Sequence, residues 1–155
     1  MLKEKQSAPL DIHVLDAEGK EASLRKWLGK KIVLYFYPKD DTPGCTVEAC
    51  EFRDANADIQ KLGALIIGVS KDAKDSHQKF SKKYKLPFLL WSDPDHKLQD
   101  AFGVWKEKTF MGKKYMGTER TTFVINADGT ILNVWQKVKP EGHSKEVYEF
   151  LKRKK

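Results

Sequence analysis

Two cysteines, Cys45 and Cys50, are the residues of this 155-residue chain whose type and spacing best suit covalent chemistry. Cys45 stands where a proline-containing loop gives way to a helical pattern over residues 45–62. Unpaired backbone N–H groups and the positive end of the helix dipole favour a thiolate at such a position. Because the thiolate is the nucleophilic form of cysteine, we predict that Cys45 is a reactive thiol.

The residues just before Cys45 are of types that would shape a tight pocket around it. Thr42 lies three positions earlier, close enough to donate a hydroxyl hydrogen bond across a tight turn. Pro38 and Pro43 stiffen the loop, and Gly44 lets the backbone approach its neighbours closely. We therefore expect the two prolines and the glycine to be pocket-shaping residues.

Helical geometry separates the two sulfur atoms. Cys45 shares the apolar side of the predicted helix with Ala49 and Phe52, whereas Cys50 lies about 140° away around the axis. In an intact helix the two Cα atoms are roughly 8–9 Å apart, and a disulfide needs them within about 7 Å. A bond between these cysteines therefore requires the first helical turns to unwind.

Other interpretations of the cysteines remain open on the residues alone. A cysteine on an apolar helix face is commonly a small core residue, and Cys50 is also compatible with an incidental exposed thiol. A zinc or iron–sulfur site would need more ligands, and none of the four histidines has ligand spacing near the pair. The Cys-x-x-Cys spacing of a disulfide oxidoreductase is also missing from the sequence.

Strand and helix patterns alternate along the chain and predict the elements that position the cysteines. Predicted strands cover residues 10–15 and 21–23 as an early hairpin, then 32–37, 64–69 and 88–91, and finally 121–126 and 130–136 as a late hairpin. Predicted helices cover residues 45–62, the region around 73–84, a short segment ending at 102, and 144–152. This order predicts an α/β fold with a mixed central sheet flanked by helices and an N-terminal β-hairpin.

Length and charge limit the classes of function. A chain of 155 residues suits a single domain spanning 1–155. The formal charge of +7 raises nucleic-acid binding, but residues 71–85 and residues 152–155 each carry a net +4. We interpret these as a solvated helix face and a frayed terminus, and so expect no nucleic-acid partner.

The N-terminal residues lack the apolar core of a signal peptide, and no apolar run approaches the ~18 residues of a membrane span. We therefore expect a cytoplasmic protein without a membrane partner, with its thiols kept reduced.

The run Pro38-x-x-x-Thr42-x-x-Cys45 resembles the active-site motif of the peroxiredoxins, and residues 42–50 are similar to the subgroup called bacterioferritin comigratory protein, or peroxiredoxin Q. The likeness extends over nearly the whole chain, including residues 102–105, residues 110–112 and an arginine, Arg120, before a strand. It implies a thioredoxin-like fold, and a thiol peroxidase that reduces hydrogen peroxide and organic hydroperoxides without a metal or other cofactor.

The resemblance also implies a role for each residue of the motif. Cys45 corresponds to the peroxidatic cysteine, which becomes a sulfenic acid, and Cys50 to the resolving cysteine, which forms an intramolecular disulfide with it. Thr42 corresponds to the residue that hydrogen-bonds the peroxide and the thiolate, Arg120 to the arginine that stabilises the thiolate and the leaving oxygen, and Pro38 to the proline that shields the pocket. Thioredoxin or a related dithiol protein then reduces the disulfide.

Several acidic and basic residues near the motif are expected to stay outside the chemistry. Asp40 and Asp41 oppose a thiolate, but we predict that both carboxylates face water and that the arginine and the helix terminus outweigh them. Glu48 is expected to favour the helix dipole without a catalytic role. His96 and His143 are expected at the surface.

Two further classes of function remain as alternatives. A redox sensor or thiol–disulfide exchange protein would use the same cysteine pair without efficient peroxide turnover, and a basic interaction protein would bind anions or nucleic acid. Because the predicted resolving thiol lies within the same helix as Cys45, the chemistry needs no second subunit, and we expect a monomer.

Overall fold

A computed structural model of the protein describes residues 1–154, which form nine strands and four α-helices. The strands are β1 (Val14–Asp16), β2 (Glu21–Ala22), β3 (Lys31–Phe36), β4 (Ala64–Ser70), β5 (Leu89–Ser92), β6 (Trp105–Phe110), β7 (Lys113–Thr118), β8 (Thr121–Ile125) and β9 (Ile131–Trp135). The helices are α1 (Pro43–Lys61), α2 (Lys74–Tyr84), α3 (Lys97–Phe102) and α4 (His143–Arg153), and a short 3-10 helix covers Leu24–Trp27.

Seven of these strands form one sheet in the order β2-β1-β5-β4-β3-β8-β9. Strands β3, β4 and β5 are mutually parallel neighbours, whereas β8 pairs antiparallel with β3 and with β9. Helices α1 and α2 connect these parallel strands, because parallel neighbours need a long crossover connection, which is usually a helix. The predicted mixed sheet flanked by helices, with an N-terminal hairpin of β1 and β2, is confirmed.

The central strand β3 is buried on both faces, and its alternating side chains divide the core into two layers. Val33 and Tyr35 face a layer that also contains apolar side chains of α1, α2 and α4. Leu34 and Phe36 face the opposite layer, which contains side chains of α3 and of the 3-10 helix. Cys45 belongs to the first layer, so the N-terminal end of α1 lies on that side of the sheet.

The hairpin of β6 and β7 was not among the predicted elements. It forms a separate two-stranded sheet, and its tip exposes Phe110 and Met111 to solvent. Lysines interrupt both of its strands, so neither shows the apolar alternation by which a half-buried strand is recognised. Antiparallel pairing between its two strands defines the hairpin, with Trp105 opposite Thr118.

The charged segments behave largely as expected. All six lysines of residues 71–85 are exposed, and within residues 1–154 no helix has the length and apolar character needed to cross a membrane. The C-terminal basic residues are less frayed than expected, since α4 continues to Arg153. Lys155, the last residue of that predicted terminus, lies outside the described residues.

Candidate active site

Cys45 is the third residue of α1, within its first turn. Pro43 is the first helical residue and Thr42 is the N-cap, with extended backbone angles. The N–H groups of Gly44 and Cys45 have no acceptor one turn earlier in the helix, as is general for a helix start. The Cys45 side chain is only 1% exposed and packs in the core layer beneath β3. The predicted location of the thiol at the helix N-terminus is therefore confirmed.

Arg120 reaches Cys45 because of the register between β3 and β8. Phe36 at the end of β3 pairs with Thr121 at the start of β8, so Arg120 lies beside the loop that leads into α1. Its guanidinium Nη2 donates a hydrogen bond to the Cys45 Sγ at 3.2 Å. The predicted pairing of a distant arginine with the thiol is present, 75 positions apart in the chain.

Gly44 allows this approach because a side chain there would collide with the arginine. A Cβ atom at Gly44 would lie 3.3 Å from the Arg120 Nη2 and 3.4 Å from the Pro140 Cγ. The first distance is tighter than an ordinary contact, so the guanidinium would have to shift by a few tenths of an ångström, whereas the second is an ordinary van der Waals contact. The predicted role of Gly44 in a close backbone approach therefore has a defined partner.

Glu48 occupies the other side of the same guanidinium. Arg120 Nη1 donates to Glu48 Oε1 at 2.7 Å, and the Glu48 side chain is fully buried. The prediction that Glu48 merely favours the helix dipole was therefore wrong. Glu48 lies about 60° from Cys45 around α1, which is on the buried face of the helix. Because a charged side chain is usually exposed, its residue type did not indicate burial.

Burial and pairing shift the ionisation of this centre. Burial raises the pKa of Glu48 to about 7, although the adjacent Arg120 acts in the opposite direction. Burial lowers the pKa of Arg120, but attraction to Glu48 and Cys45 outweighs it and the net shift is upward. The guanidinium therefore stays charged beside the sulfur, and it is the carboxyl of Glu48 that can change its protonation near neutral pH.

The remaining residues of the predicted motif lie around the helix start. Thr42 donates its hydroxyl to the Lys39 carbonyl at 2.9 Å, so in this state its hydrogen bond goes to the loop and not to the sulfur. Pro38 lies two residues after the end of β3 and is half-buried, whereas Pro43 is exposed. Pro43 begins the helix, a position that its fixed φ and missing N–H suit well.

Cys50 lies further along the same continuous helix and is half-buried. Both cysteines are free thiols in this structure. Because the two cysteines are five positions apart in an intact helix, their sulfur atoms leave the helix on different sides. The structure thus describes the reduced, fully wound arrangement in which the pair is not bonded.

Both a family model and curated relatives match this chain. Residues 5–134 match the AhpC/TSA family. Peroxiredoxin Bcp of Bacillus subtilis is 50% identical over 147 residues, covering 95% of this chain and 93% of that protein. The chain belongs to this family, as a peroxiredoxin.

Solved structures agree with this assignment. Xanthomonas campestris peroxiredoxin Q shares 40% identity and superposes with a TM-score of 0.91 over 97% of both chains. A bacterioferritin comigratory protein of the same organism, studied for alkyl peroxide reduction, shares 39% identity with a TM-score of 0.89, covering 96% of this chain and 99% of that one. The predicted thioredoxin-like fold is confirmed, and this peroxiredoxin is a thiol peroxidase.

A buried polar cluster anchors the loop that precedes the helix of this peroxiredoxin. Asp40 is 7% exposed and accepts hydrogen bonds from the Tyr37 hydroxyl at 2.5 Å and from the Ser76 hydroxyl at 2.8 Å. It also pairs with His77 Nδ1 at 2.7 Å. The expectation that Asp40 faces water was wrong, because two of its partners, Ser76 and His77, come from α2 and are invisible to local sequence patterns. Asp41 remains half-exposed and pairs with Lys83 at 2.8 Å.

The same cluster has the composition of a metal site but is arranged as a hydrogen-bonded anchor. One ligand-type atom from each of Asp40, Asp72 and His77 lies within 4.8 Å of the others. However, the second ring nitrogen of His77 is bonded to the Trp91 carbonyl at 2.9 Å, and Asp72 accepts from the Asp40 N–H at 2.8 Å and from Ser70. These contacts tie the loop to β4, β5 and α2.

Neutralising Asp40 should therefore cost stability. We expect Asp40→Asn to lower the free energy of unfolding by about 2–3 kcal/mol, because an amide places a donor against buried donors and leaves His77 without its charged partner. Urea unfolding followed by circular dichroism measures the loss. Asp41→Asn is the matched control, and its exposed ion pair should be worth no more than about 1 kcal/mol. Equal losses in the two variants would contradict the anchoring role.

The two histidines that were expected at the surface have different environments. His143 is buried, with Nε2 at 2.8 Å from the Thr122 hydroxyl, and burial lowers its pKa. It was expected at the surface because no local pattern marks it as a core residue. His96 is partly exposed and stacks on Trp105 with ring centroids 4.3 Å apart.

Proposed function

We propose that Cys45 is the residue of this peroxiredoxin that attacks the hydroperoxide. Its support is the single contact from Arg120 Nη2 to the sulfur at 3.2 Å, at the N-terminus of a helix. A fixed guanidinium and a helix N-terminus both stabilise negative charge on sulfur and on the oxygen that leaves. The thiolate attacks the terminal oxygen of the hydroperoxide, and the O–O bond breaks. Cys45 becomes a sulfenic acid, and the alkoxide or hydroxide that leaves takes up one proton.

Thr42 would orient the substrate in this step. Its hydroxyl hydrogen is donated to Lys39, which leaves the oxygen lone pairs to accept a hydrogen bond from the peroxide O–H. Pro38 would limit water access from the end of β3, and Gly44 would keep Arg120 close to the helix start. These pocket roles are part of the proposal.

Cys50 would then resolve the sulfenic acid. The Cys50 thiol attacks the oxidised sulfur, a disulfide forms, and water leaves. Because the two cysteines are separated by more than one turn of α1, the first turns of that helix must open during this step. A thioredoxin-type dithiol would restore both thiols by exchange.

Mass spectrometry after one equivalent of hydroperoxide tests both assignments. We expect wild type to lose two hydrogen atoms, Cys50→Ser to gain one oxygen atom on Cys45, and Cys45→Ser to stay unchanged. Oxygen on Cys45 in wild type without a disulfide would remove Cys50 from the scheme. Oxidation of Cys45→Ser at the wild-type rate would remove Cys45.

A redox sensor using the same pair would form the same disulfide, so turnover separates the two functions. Sustained oxidation of thioredoxin that depends on added peroxide supports the peroxidase cycle. The monomeric state, the cytoplasmic location, the single domain over residues 1–155, and the absence of nucleic-acid or membrane partners stay predictions.

A further inference from the structure

One guanidinium in this molecule serves two ionisable groups that are both removed from water. Arg120 Nη2 lies 3.2 Å from the sulfur of Cys45, and Nη1 lies 2.7 Å from Glu48 Oε1. Cys45 is 1% exposed and the Glu48 side chain is not exposed at all. A thiolate and a carboxylate together would leave this buried centre with one uncompensated negative charge.

The other groups around Glu48 do not supply that compensation. Lys108 of β6 is a further cation in the field of Cys45 and Arg120. However, burial lowers the pKa of Lys108 and its Nζ donates to the Thr118 carbonyl, so Arg120 remains the cation in contact with both acids.

Glu51 on the same helix as Glu48 adds a further negative field, and Tyr35 from β3 is a buried neutral phenol whose pKa is raised well above its usual value by burial and then by Glu48. Among residues 1–154, the second carboxyl oxygen of Glu48 and the Tyr35 hydroxyl have no hydrogen-bond partner. Leaving a carboxylate oxygen buried without a donor is costly.

We propose that Glu48 holds the proton that Cys45 gives up, so that the resting centre contains a thiolate and a neutral carboxyl on either side of Arg120, and that Glu48 releases this proton when Cys45 is oxidised. This inference rests on the proposed role of Cys45. Glu48 acts through Arg120 and is therefore a positioning residue that sets the charge of the centre. Its raised pKa, about 7 because of burial, agrees with a carboxyl that is protonated beside a thiolate.

The net charge of the buried centre is zero both before and after Cys45 is oxidised. Before oxidation the centre contains the thiolate, the guanidinium and a neutral carboxyl. After oxidation the sulfenic acid is neutral, so Arg120 becomes the counterion of a Glu48 carboxylate. One proton is released by Glu48 and one is taken up by the leaving alkoxide, so the protein and its substrate exchange no net proton with the buffer. Formation of the disulfide from the sulfenic acid and the Cys50 thiol releases only water.

The number of protons taken up from the buffer for each oxidised Cys45 tests this proton exchange directly. One equivalent of tert-butyl hydroperoxide is mixed with reduced protein in weak buffer with a pH indicator, while thiolate absorbance is recorded before mixing. Both the chain that retains Glu48 and the Glu48→Gln variant carry Cys50→Ser as background, so that ionisation of Cys50 does not add to the proton count. At about pH 6 we expect the chain that retains Glu48 to contain a thiolate and to take up no net proton, and at about pH 8.5 to take up about one proton per oxidised Cys45. Glu48→Gln should take up about one proton at both pH values.

The pH dependence of the rate is the second measurement. Above neutral pH the Glu48 carboxylate competes for Arg120, so the wild-type rate constant for Cys45 oxidation should fall about tenfold on the alkaline side. Glu48→Gln retains the acceptor oxygen for Arg120 but cannot ionise, and it should lack this descending limb. Asp58→Asn changes the same charge on an exposed part of α1, and it should match wild type in both measurements.

Three outcomes would overturn the proposal. They are uptake of one proton at about pH 6 by the chain that retains Glu48, a thiol in place of a thiolate at that pH, or a Glu48→Gln profile lowered equally at every pH, as a purely structural role predicts. If Glu48→Gln fails to fold, the stoichiometry of the chain that retains Glu48 and its thiolate absorbance at about pH 6 together decide the matter, because a neutral thiol would also take up no proton at that pH. If Cys45 is not oxidised at all, the proposed function fails instead, and the two failures are distinguished by mass.

Discussion

Replacing Arg120 by methionine is expected to lower the second-order rate constant for oxidation of Cys45 by hydroperoxide by about 10³-fold. Methionine has a similar length and apolar stem but cannot donate the hydrogen bond that Arg120 makes to the sulfur at 3.2 Å. The thiolate, the transition state and the leaving oxygen all lose the same fixed positive charge. Stopped-flow mixing with hydrogen peroxide, followed by intrinsic fluorescence, measures the change.

Two further variants make this prediction specific. Arg120→Lys retains the charge but not the two-pronged geometry that contacts both Cys45 and Glu48, and it should recover only part of the rate. Arg25→Met removes an exposed arginine that pairs with Asp11, and its rate should equal that of wild type. A wild-type rate in folded Arg120→Met would refute the electrostatic role of Arg120.

Cys50→Ser is expected to abolish thioredoxin-linked turnover while the first oxidation of Cys45 still occurs. Without a thiol at position 50 the sulfenic acid has no partner on α1, and steady-state peroxide consumption should fall to the background of the assay. Consumption coupled to thioredoxin and its reductase provides the measurement. Full turnover in this variant would mean that another thiol, from the reductant or from a second chain, resolves the sulfenic acid.

Hydrogen exchange shows whether resolution opens the helix. In wild type, one equivalent of peroxide should expose the amides of residues 46–50, because the disulfide cannot form across the intact first turns of α1. Cys50→Ser carries the sulfenic acid without the constraint and should keep its protection. Unchanged exchange in disulfide-bonded wild type would contradict the coupling between chemistry and local unfolding.

The main elements of the sheet could be predicted because their signals are local. Strand β3 is a nearly continuous apolar run, and Pro43 begins α1 at a position that suits proline. The β6–β7 hairpin escaped prediction because polar lysines occupy its strands and only cross-strand pairing defines it. Local patterns therefore identify elements that are buried by the main sheet, and miss elements that stand outside it.

By itself, the sequence predicts which thiol is reactive. A cysteine at a helix start, preceded by threonine, proline and glycine, is a local arrangement, and its chemistry follows from the backbone groups around it. Only the tertiary structure decided which charges surround that thiol. Arg120 reaches Cys45 through the register of β3 and β8, and Glu48 and Asp40 are buried beside partners that come from other elements. Charged residues are placed at the surface by default, and burial reverses that default only where distant parts of the chain meet.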